Sequence, residues 1–315
     1  MVVRLSLVTV LHQGQSGRTL RGHAMNSNWT NNIKSDACTE VRISVPDKQD
    51  WRFRVLLSTD RHWDNPDSNR TLQRKHLDQA LAENCPIIDN GDLFCAMQGK
   101  YDKRATKSKV RPEHANNNYL DSLVDTASKW FAPYAKNFVC IGEGNHETAI
   151  QNRHETNLIK RLVDNLNKEP GANIHNGRYG SWARFVFTNP HGKSNTMTLK
   201  RFHGSGGGGP VTKGVIQTNR RAAFLDADII FTGHIHESWS LTTVREQLMR
   251  NGKVRLRNQL HISGATYKDE YKQALGGWHV ERGAPPKPIG AQWLIFSLKH
   301  EDGAYQVVCH TETAQ

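Results

Sequence analysis

Cysteine is scarce in this chain: five residues, Cys38, Cys85, Cys95, Cys140 and Cys309, odd in number and never spaced C-x-x-C. That argues against a disulfide framework and against a thiolate zinc knuckle, and it fits a reducing compartment. Acidic charge is also short, with 30 Asp+Glu against 42 Lys+Arg and a net charge of +12. The deficit favours anionic partners such as nucleic acid or phosphorylated small molecules. The apolar opening, Met1 to Leu11, is too short for a bilayer span, carries Arg4 and leads into no small-residue cleavage site. A soluble, cytoplasmic chain with no membrane role is expected. There are no repeats and no heptads. Neither His146-Glu147 nor His154-Glu155 completes H-E-x-x-H, which disfavours a zincin protease. The run Gly204–Pro210, GSGGGGP, lacks the G-K-[ST] ending of a P-loop and reads as a flexible wall of a cleft.

What remains is enough for one main core: 315 residues, 37% of them hydrophobic. Residues 1–50 are polar, with one alternating stretch at Val41–Val45, and read as an N-terminal extension or an extra edge strand with no assigned chemistry. Residues 51–315 are the expected catalytic domain. Short apolar runs at Phe53–Ser58, Cys85–Asp89 and Asn137–Ile141 alternate with helical periodicity at Asn69–Asn84, Tyr119–Tyr134 and Glu147–Leu166. That alternation predicts βαβ units and a parallel sheet. A strand-rich half follows, at Arg184–Thr188, Thr196–His203, Ile229–Thr232, Leu260–Ser263 and Trp293–Leu298, and predicts a second sheet packed on the first.

Histidine, with 16 copies, is the conspicuous residue. Five short motifs fall where apolar strands end: Asp60-Arg61-His62, Gly91-Asp92, Gly144-Asn145-His146-Glu147, His203-Gly204 and Gly233-His234-Ile235-His236. Loops at the carboxyl ends of strands converge on a rigid platform, so these groups should meet in space. Carboxylates, an amide oxygen and imidazoles suit borderline divalent ions, and the adjoining glycines suit tight turns.

This order, D-x-H, G-D, G-N-H-E, H-G and G-H-x-H, resembles the signature of the calcineurin-like metallophosphoesterases over roughly residues 53–240. The resemblance implies an α/β fold, a four-layer αββα sandwich with two mixed sheets. It implies Asp60, His62 and His236 on a first metal, Asp92 bridging, and Asn145, His203 and His234 on a second. It gives His146 a catalytic role. The ions implied are two divalent metals, Mn²⁺ foremost, with Zn²⁺, Fe²⁺ or Ni²⁺ also admissible. The reaction implied is attack on phosphorus by a metal-bridging hydroxide, with His146 assisting the leaving oxygen and a carboxylate such as Asp60 or Glu147 orienting it. Gly91-Asp92-Leu93-Phe94 is also similar to the matching stretch of the SbcD-type DNA-repair exonucleases, although Cys95 stands where a carboxylate or amide is common.

Other features leave the substrate open. The basic segment Lys100–Arg111, with Lys103, Arg104 and Lys107 as candidate substrate contacts, could hold a phosphodiester backbone or stand as a solvated loop. Trp63, Tyr101 and Trp239 could stack on bases or simply pack. The remaining histidines read as surface or structural residues. The leading expectation is a phosphodiesterase, with a nuclease acting on DNA or RNA as its narrower form. The alternative is a phosphomonoesterase acting on nucleotides or phosphoproteins. A non-catalytic nucleic-acid-binding module is disfavoured, since such modules lose ligands or the catalytic histidine and all are present here.

Overall fold

A computed structural model describes residues 28–314 except 49, 98–104, 106, 210 and 302–303. The strands are β1 (Trp29–Ser35), β2 (Cys38–Ser44), β3 (Arg52–Ser58), β4 (Ile87–Asp89), β5 (Phe138–Ile141), β6 (His175–Asn176), β7 (Gly180–Thr188), β8 (Ser194–Phe202), β9 (Ile229–Thr232), β10 (Trp239–Leu248), β11 (Val254–Ser263), β12 (Gln292–Glu301) and β13 (Ala304–Thr313). They form two mixed sheets, ordered β1-β2-β7-β8-β9-β11-β10 and β13-β12-β3-β4-β5-β6. The helices that matter for the site are α1 (Arg70–Ala82), α2 (Tyr119–Phe131), α3 (Asn145–His154), α4 (Leu158–Leu166) and α5 (Gln217–Phe224). This is the expected αββα sandwich, and α5 is tied to the seven-stranded sheet by Arg245 of β10, which donates to Ala222 O, and by Arg221, which donates to Thr232 Oγ1 of β9 at 3.4 Å.

Hydrophobic pattern explains the layering. The central strands β3, β4 and β5 are buried on both faces and run parallel, so they read as nearly unbroken apolar stretches. Residues Phe53, Val55 and Leu57 of β3 point inward to meet Val41, Phe185, Leu199 and Phe231 of the other sheet. The alternate residue Leu56 joins Leu77 of α1, Val124 and Ala127 of α2, and Leu162 of α4 in the outer core. Helix α1 begins where Asn69 caps the backbone N–H of Leu72 at 2.9 Å.

Several boundaries differ from the sequence reading. The periodic run expected as one helix over Glu147–Leu166 is two helices. Glu155 takes a left-handed conformation, φ 54°, which ends α3, and Asn157 starts α4 by capping Lys160 N at 2.8 Å. Strands β1 and β2 lie ahead of residue 51, and β2 pairs in parallel with β7, so of the two readings of this stretch the described part follows the edge-strand one. Strand β10 is a mostly exposed edge strand without a buried apolar run, so hydrophobic pattern does not mark it in the sequence. No helix among the described residues is long and apolar enough to cross a membrane.

Beneath the motif loops lies a fully buried ion pair. Arg61 Nε donates to Asp89 Oδ2 at 2.6 Å, both side chains being wholly enclosed, and Arg61 Nη2 donates to Ser58 Oγ at 2.8 Å. Removing one partner of a buried pair strands the other charge without solvent. Asp89→Ala is therefore expected to lower unfolding free energy by about 3–5 kcal/mol, read as a lower urea midpoint. A loss no larger than a surface change produces, about 0.5 kcal/mol, would show that the guanidinium finds other support.

Candidate metal centre

The five motifs meet. Asp60 and His62 follow β3, Asp92 follows β4 and Asn145 and His146 open α3 after β5, while His203 follows β8 and His234 and His236 follow β9. Strands β3, β4 and β5 are parallel neighbours in one sheet, and β8 and β9 in the other. The site thus lies where five carboxyl ends face each other across the sandwich. Asn90 stitches the two sheets at this point: its Nδ2 donates to Phe202 O at 3.1 Å and to Phe231 O at 3.3 Å.

Two clusters result. One oxygen or nitrogen each from Asp60, His62 and His236 lies within 4.8 Å of the others, and so do donors from Asp92, His203 and His234. Asn145 Oδ1 is 2.7 Å from His234 Nδ1, which places the amide beside the second cluster. All seven candidate ligands are therefore brought together. Five of them, Asp60, His62, Asp92, His234 and His236, hold positive φ, from 43° to 72°. Non-glycine residues avoid that region at a cost of about 1–3 kcal/mol each. Such strain persists only where surroundings enforce it, and here it turns five donor side chains toward one point.

The surroundings can be named. Asp60 N donates to Gly91 O and His62 N to Asp92 O, each at 2.9 Å, which binds the first two motif loops together. Gly91 has φ 100°, and an added Cβ there would lie 2.5 Å from the Glu143 carbonyl. A Cβ on Gly144 would lie 2.1 Å from Asp92 Oδ1. Glu147 clamps the same loop, accepting from Asp92 N at 3.1 Å, Gly144 N at 2.8 Å and Phe94 N at 2.8 Å. Burial and the Asp92 charge raise the Glu147 pKa well above the usual carboxylate range. Asp64 does likewise for the next turn, accepting from Cys95 N at 2.5 Å and Ala96 N at 2.9 Å.

The electrostatics fit a cation. His203 Nδ1 donates to Asn90 O at 2.9 Å, so in the neutral ring Nε2 carries the lone pair, 3.2 Å from Asp92 Oδ2. Two acceptors facing each other at that distance require a proton or a metal ion between them. Burial pulls the His203 imidazolium down, but Asp92 and Asp60 outweigh it and lift the pKa to about 10. Against the upward push of burial, His203 and His146 hold Asp92 well below its ordinary value. A bound ion would replace that proton, as imidazole ligation does generally. Asp60 Oδ1 shows the same want: it is buried 3.2 Å from His236 Nε2, with no hydrogen bond among the described residues. His62 lies 3.4 Å from His236, nitrogen to nitrogen, and burial first, then His146 and Lys268, hold its pKa well below normal.

His146 is set apart from the ligands. Its Nδ1 donates to the carbonyl of Cys95 at 2.6 Å, its backbone N donates to Asp92 Oδ1 at 2.9 Å, and its Nε2 is 3.9 Å from Asp92 Oδ2. The expected orienting carboxylate is therefore replaced by a main-chain carbonyl. Glu147 is spent on backbone amides and Asp60 faces His236.

Of the candidate substrate contacts, Lys103 and Arg104 lie outside the described residues, as do Lys100 and Tyr101. Lys107 sits in a 3-10 turn, Lys107–Lys109, with its side chain outside the description. Trp63 is 1% exposed within the outer core beneath the Arg70 guanidinium, so it is no stacking platform. Trp239 donates to Lys213 O at 3.0 Å. Gly204 lies against Gly233 and His234, so the glycine-rich run does border the site.

Three contributors went unread in the sequence: Asn90, which aims His203, Asp64, and Lys268. Lys268 is 6% exposed, pairs with Glu270 at 2.7 Å and acts electrostatically on His62. Glu147, read in the sequence as a partner for His146, instead accepts from Gly144 N three residues before it at the start of α3.

No family model matches this chain, and no curated protein does. Among solved structures it is similar to Vps29 from Cryptosporidium parvum, at 16% identity over 84% of this chain and 100% of that one, TM-score 0.30. It is similar to Chaetomium thermophilum Vps29, at 10% identity over 83% and 97%, TM-score 0.31. It is also similar to GAP50, the anchor in the inner membrane complex of Plasmodium, at 11% identity over 84% and 89%, TM-score 0.42. Identities and scores this low carry no functional weight, so function rests on the site.

Proposed function

We propose that this chain is a dinuclear-metal-dependent phosphoesterase of the calcineurin-like type, acting on phosphodiesters. The observation that carries the reading is the pair of three-donor clusters, Asp60–His62–His236 and Asp92–His203–His234, in the second of which Asp92 Oδ2 faces the lone pair of His203 Nε2. The donor set is oxygen and imidazole without thiolate, which suits Mn²⁺ first and Zn²⁺, Fe²⁺ or Ni²⁺ after it. Two such ions, when bound, supply Lewis acidity that neutralises phosphoryl charge and acidifies water.

The protein's part follows from its contacts. Asp60, His62 and His236 would hold the first ion, Asn145, His203 and His234 the second, and Asp92 would reach both. Asn90 fixes the His203 tautomer through Nδ1, leaving Nε2 for ligation. His146, anchored through Nδ1 to a carbonyl, can present only Nε2 to substrate, and in the protonated ring that atom gives its proton to the departing oxygen. The backbone amides gathered by Glu147 keep Asp92 and His146 in register while substrate binds.

Preference for diesters, and for DNA or RNA among them, is supported by the net charge of +12 and by the similarity of Gly91–Phe94 to repair exonucleases. The test is hydrolysis of bis(p-nitrophenyl) phosphate against p-nitrophenyl phosphate by metal-stripped protein, with and without Mn²⁺. Expected is turnover only with Mn²⁺, favouring the diester. Preference for the monoester would move the assignment to a phosphatase of nucleotides or phosphoproteins. Turnover undiminished by metal stripping would overturn the reading.

A further inference from the structure

A third set of donors lies beside the two clusters. His62, Cys95 and His146 each place one ligand atom within 4.8 Å of the other two. All three are enclosed, at 1%, 2% and 9% exposure. Their positions are fixed by contacts that leave the donor atoms available. His146 commits Nδ1 to the Cys95 carbonyl, so Nε2 is its free nitrogen. His62 Nδ1 is buried and forms no hydrogen bond among the described residues, and the His62 ring meets that of His146 edge-on with centroids 4.9 Å apart. The Cys95 backbone is pinned by Asp64, while its Sγ accepts from Asn65 Nδ2 at 3.2 Å.

We propose that His62, Cys95 and His146 form an additional binding site for one soft divalent cation, Zn²⁺ or Cd²⁺, and that filling it inhibits the enzyme by withdrawing His146. Two imidazoles and a thiolate are a donor set for soft ions, whereas Mn²⁺ prefers the carboxylate-bearing clusters. On binding, the Cys95 S–H bond breaks, a metal–sulfur bond forms and the proton leaves to solvent. The lone pair of His146 Nε2 is then engaged and can neither carry nor deliver a proton. His62 is drawn on as well, although it also belongs to the cluster with Asp60 and His236. A soft ion there would shut the chain down by occupying His146 and by competing for the His62 ligand of the first cluster.

The test is a Cd²⁺ titration of the Mn²⁺-supplemented chain, reading ultraviolet thiolate-to-cadmium charge-transfer absorbance and, in parallel, hydrolysis. Expected is a band that saturates at one equivalent, is lost in Cys95→Ser, and persists with affinity reduced at least about tenfold in His146→Gln. Cys95→Ala serves if serine proves unstable in that enclosed turn. A band of undiminished affinity in the Cys95 variants would place the ion on other cysteines and overturn the site. Unchanged affinity in His146→Gln would overturn the role of that ring. The inhibition rests on the phosphodiesterase reading, so hydrolysis should fall in step with the band. Full hydrolysis with the band saturated would overturn inhibition, while a chain with no Mn²⁺-dependent turnover at the outset would count against the proposed function and leave the absorbance titration to decide the site.

Discussion

Asp92→Asn is expected to abolish hydrolysis, by about a thousandfold or more, which corresponds to about 4 kcal/mol in the barrier, and to empty at least the second metal cluster. The two side chains have nearly the same shape, so the fold should survive. What changes follows from the contacts of each carboxylate oxygen. Oδ1 accepts from His146 N at 2.9 Å, so the asparagine must keep its carbonyl oxygen there. Its amide nitrogen then takes the place of Oδ2, which lies 3.2 Å from His203 Nε2. An N–H now points at the histidine lone pair and satisfies it. One substitution removes the shared negative charge and also caps a neighbouring ligand with a hydrogen bond. Metal content measured after dialysis, beside turnover of the diester, checks both halves. Full activity would sink the bridging assignment, and lost activity with metal retained would place Asp92 in catalysis without ligation.

The same geometry explains what could be read without a structure. Ligands at strand ends are legible because a strand is a local pattern and its carboxyl end is one residue away. Asp60 after Val55–Ser58 and His234 after Ile229–Thr232 are each found by counting from an apolar run. The sandwich is legible for the same reason, since β3, β4 and β5 are buried on both faces and so unbroken in their hydrophobicity. Asn90 and Asp64 were illegible because their work lies in main-chain contacts with residues far along the chain. Asn90 bonds to Phe202 O and Phe231 O, more than a hundred residues away.

Partition among roles was harder than membership. Glu147 reads as a partner for His146 when only adjacency is known. In the helix, residues next in sequence point to different faces, so Glu147 turns to the backbone of the Asp92 loop and His146 to the carbonyl of Cys95. The split between α3 and α4 has a similar origin. Both segments carry apolar periodicity, and the left-handed Glu155 between them leaves no mark in a hydrophobic pattern. Trp63 shows the converse: next to a ligand in sequence, it points away from the cleft into the core.

His146→Ala is expected to keep both metal clusters and to lose turnover selectively. The ring makes no contribution to either three-donor cluster that includes a carboxylate, so metal content should match the unaltered protein. Its removal also leaves the backbone N–H of residue 146 donating to Asp92 Oδ1, since that bond does not involve the side chain. What disappears is the group fixed to deliver a proton from Nε2. General-acid catalysis contributes about 10²–10⁴-fold, but only where the leaving oxygen needs the proton. With p-nitrophenolate, a stable anion, the loss should be small. With an alkyl or nucleoside leaving group it should approach the full factor. The decisive quantity is therefore the ratio of kcat losses for the two leaving groups, measured at saturating Mn²⁺. A ratio near one would show that His146 acts by binding the phosphoryl oxygens in the transition state. A large ratio accompanied by metal loss would instead make His146 a ligand of the catalytic ions.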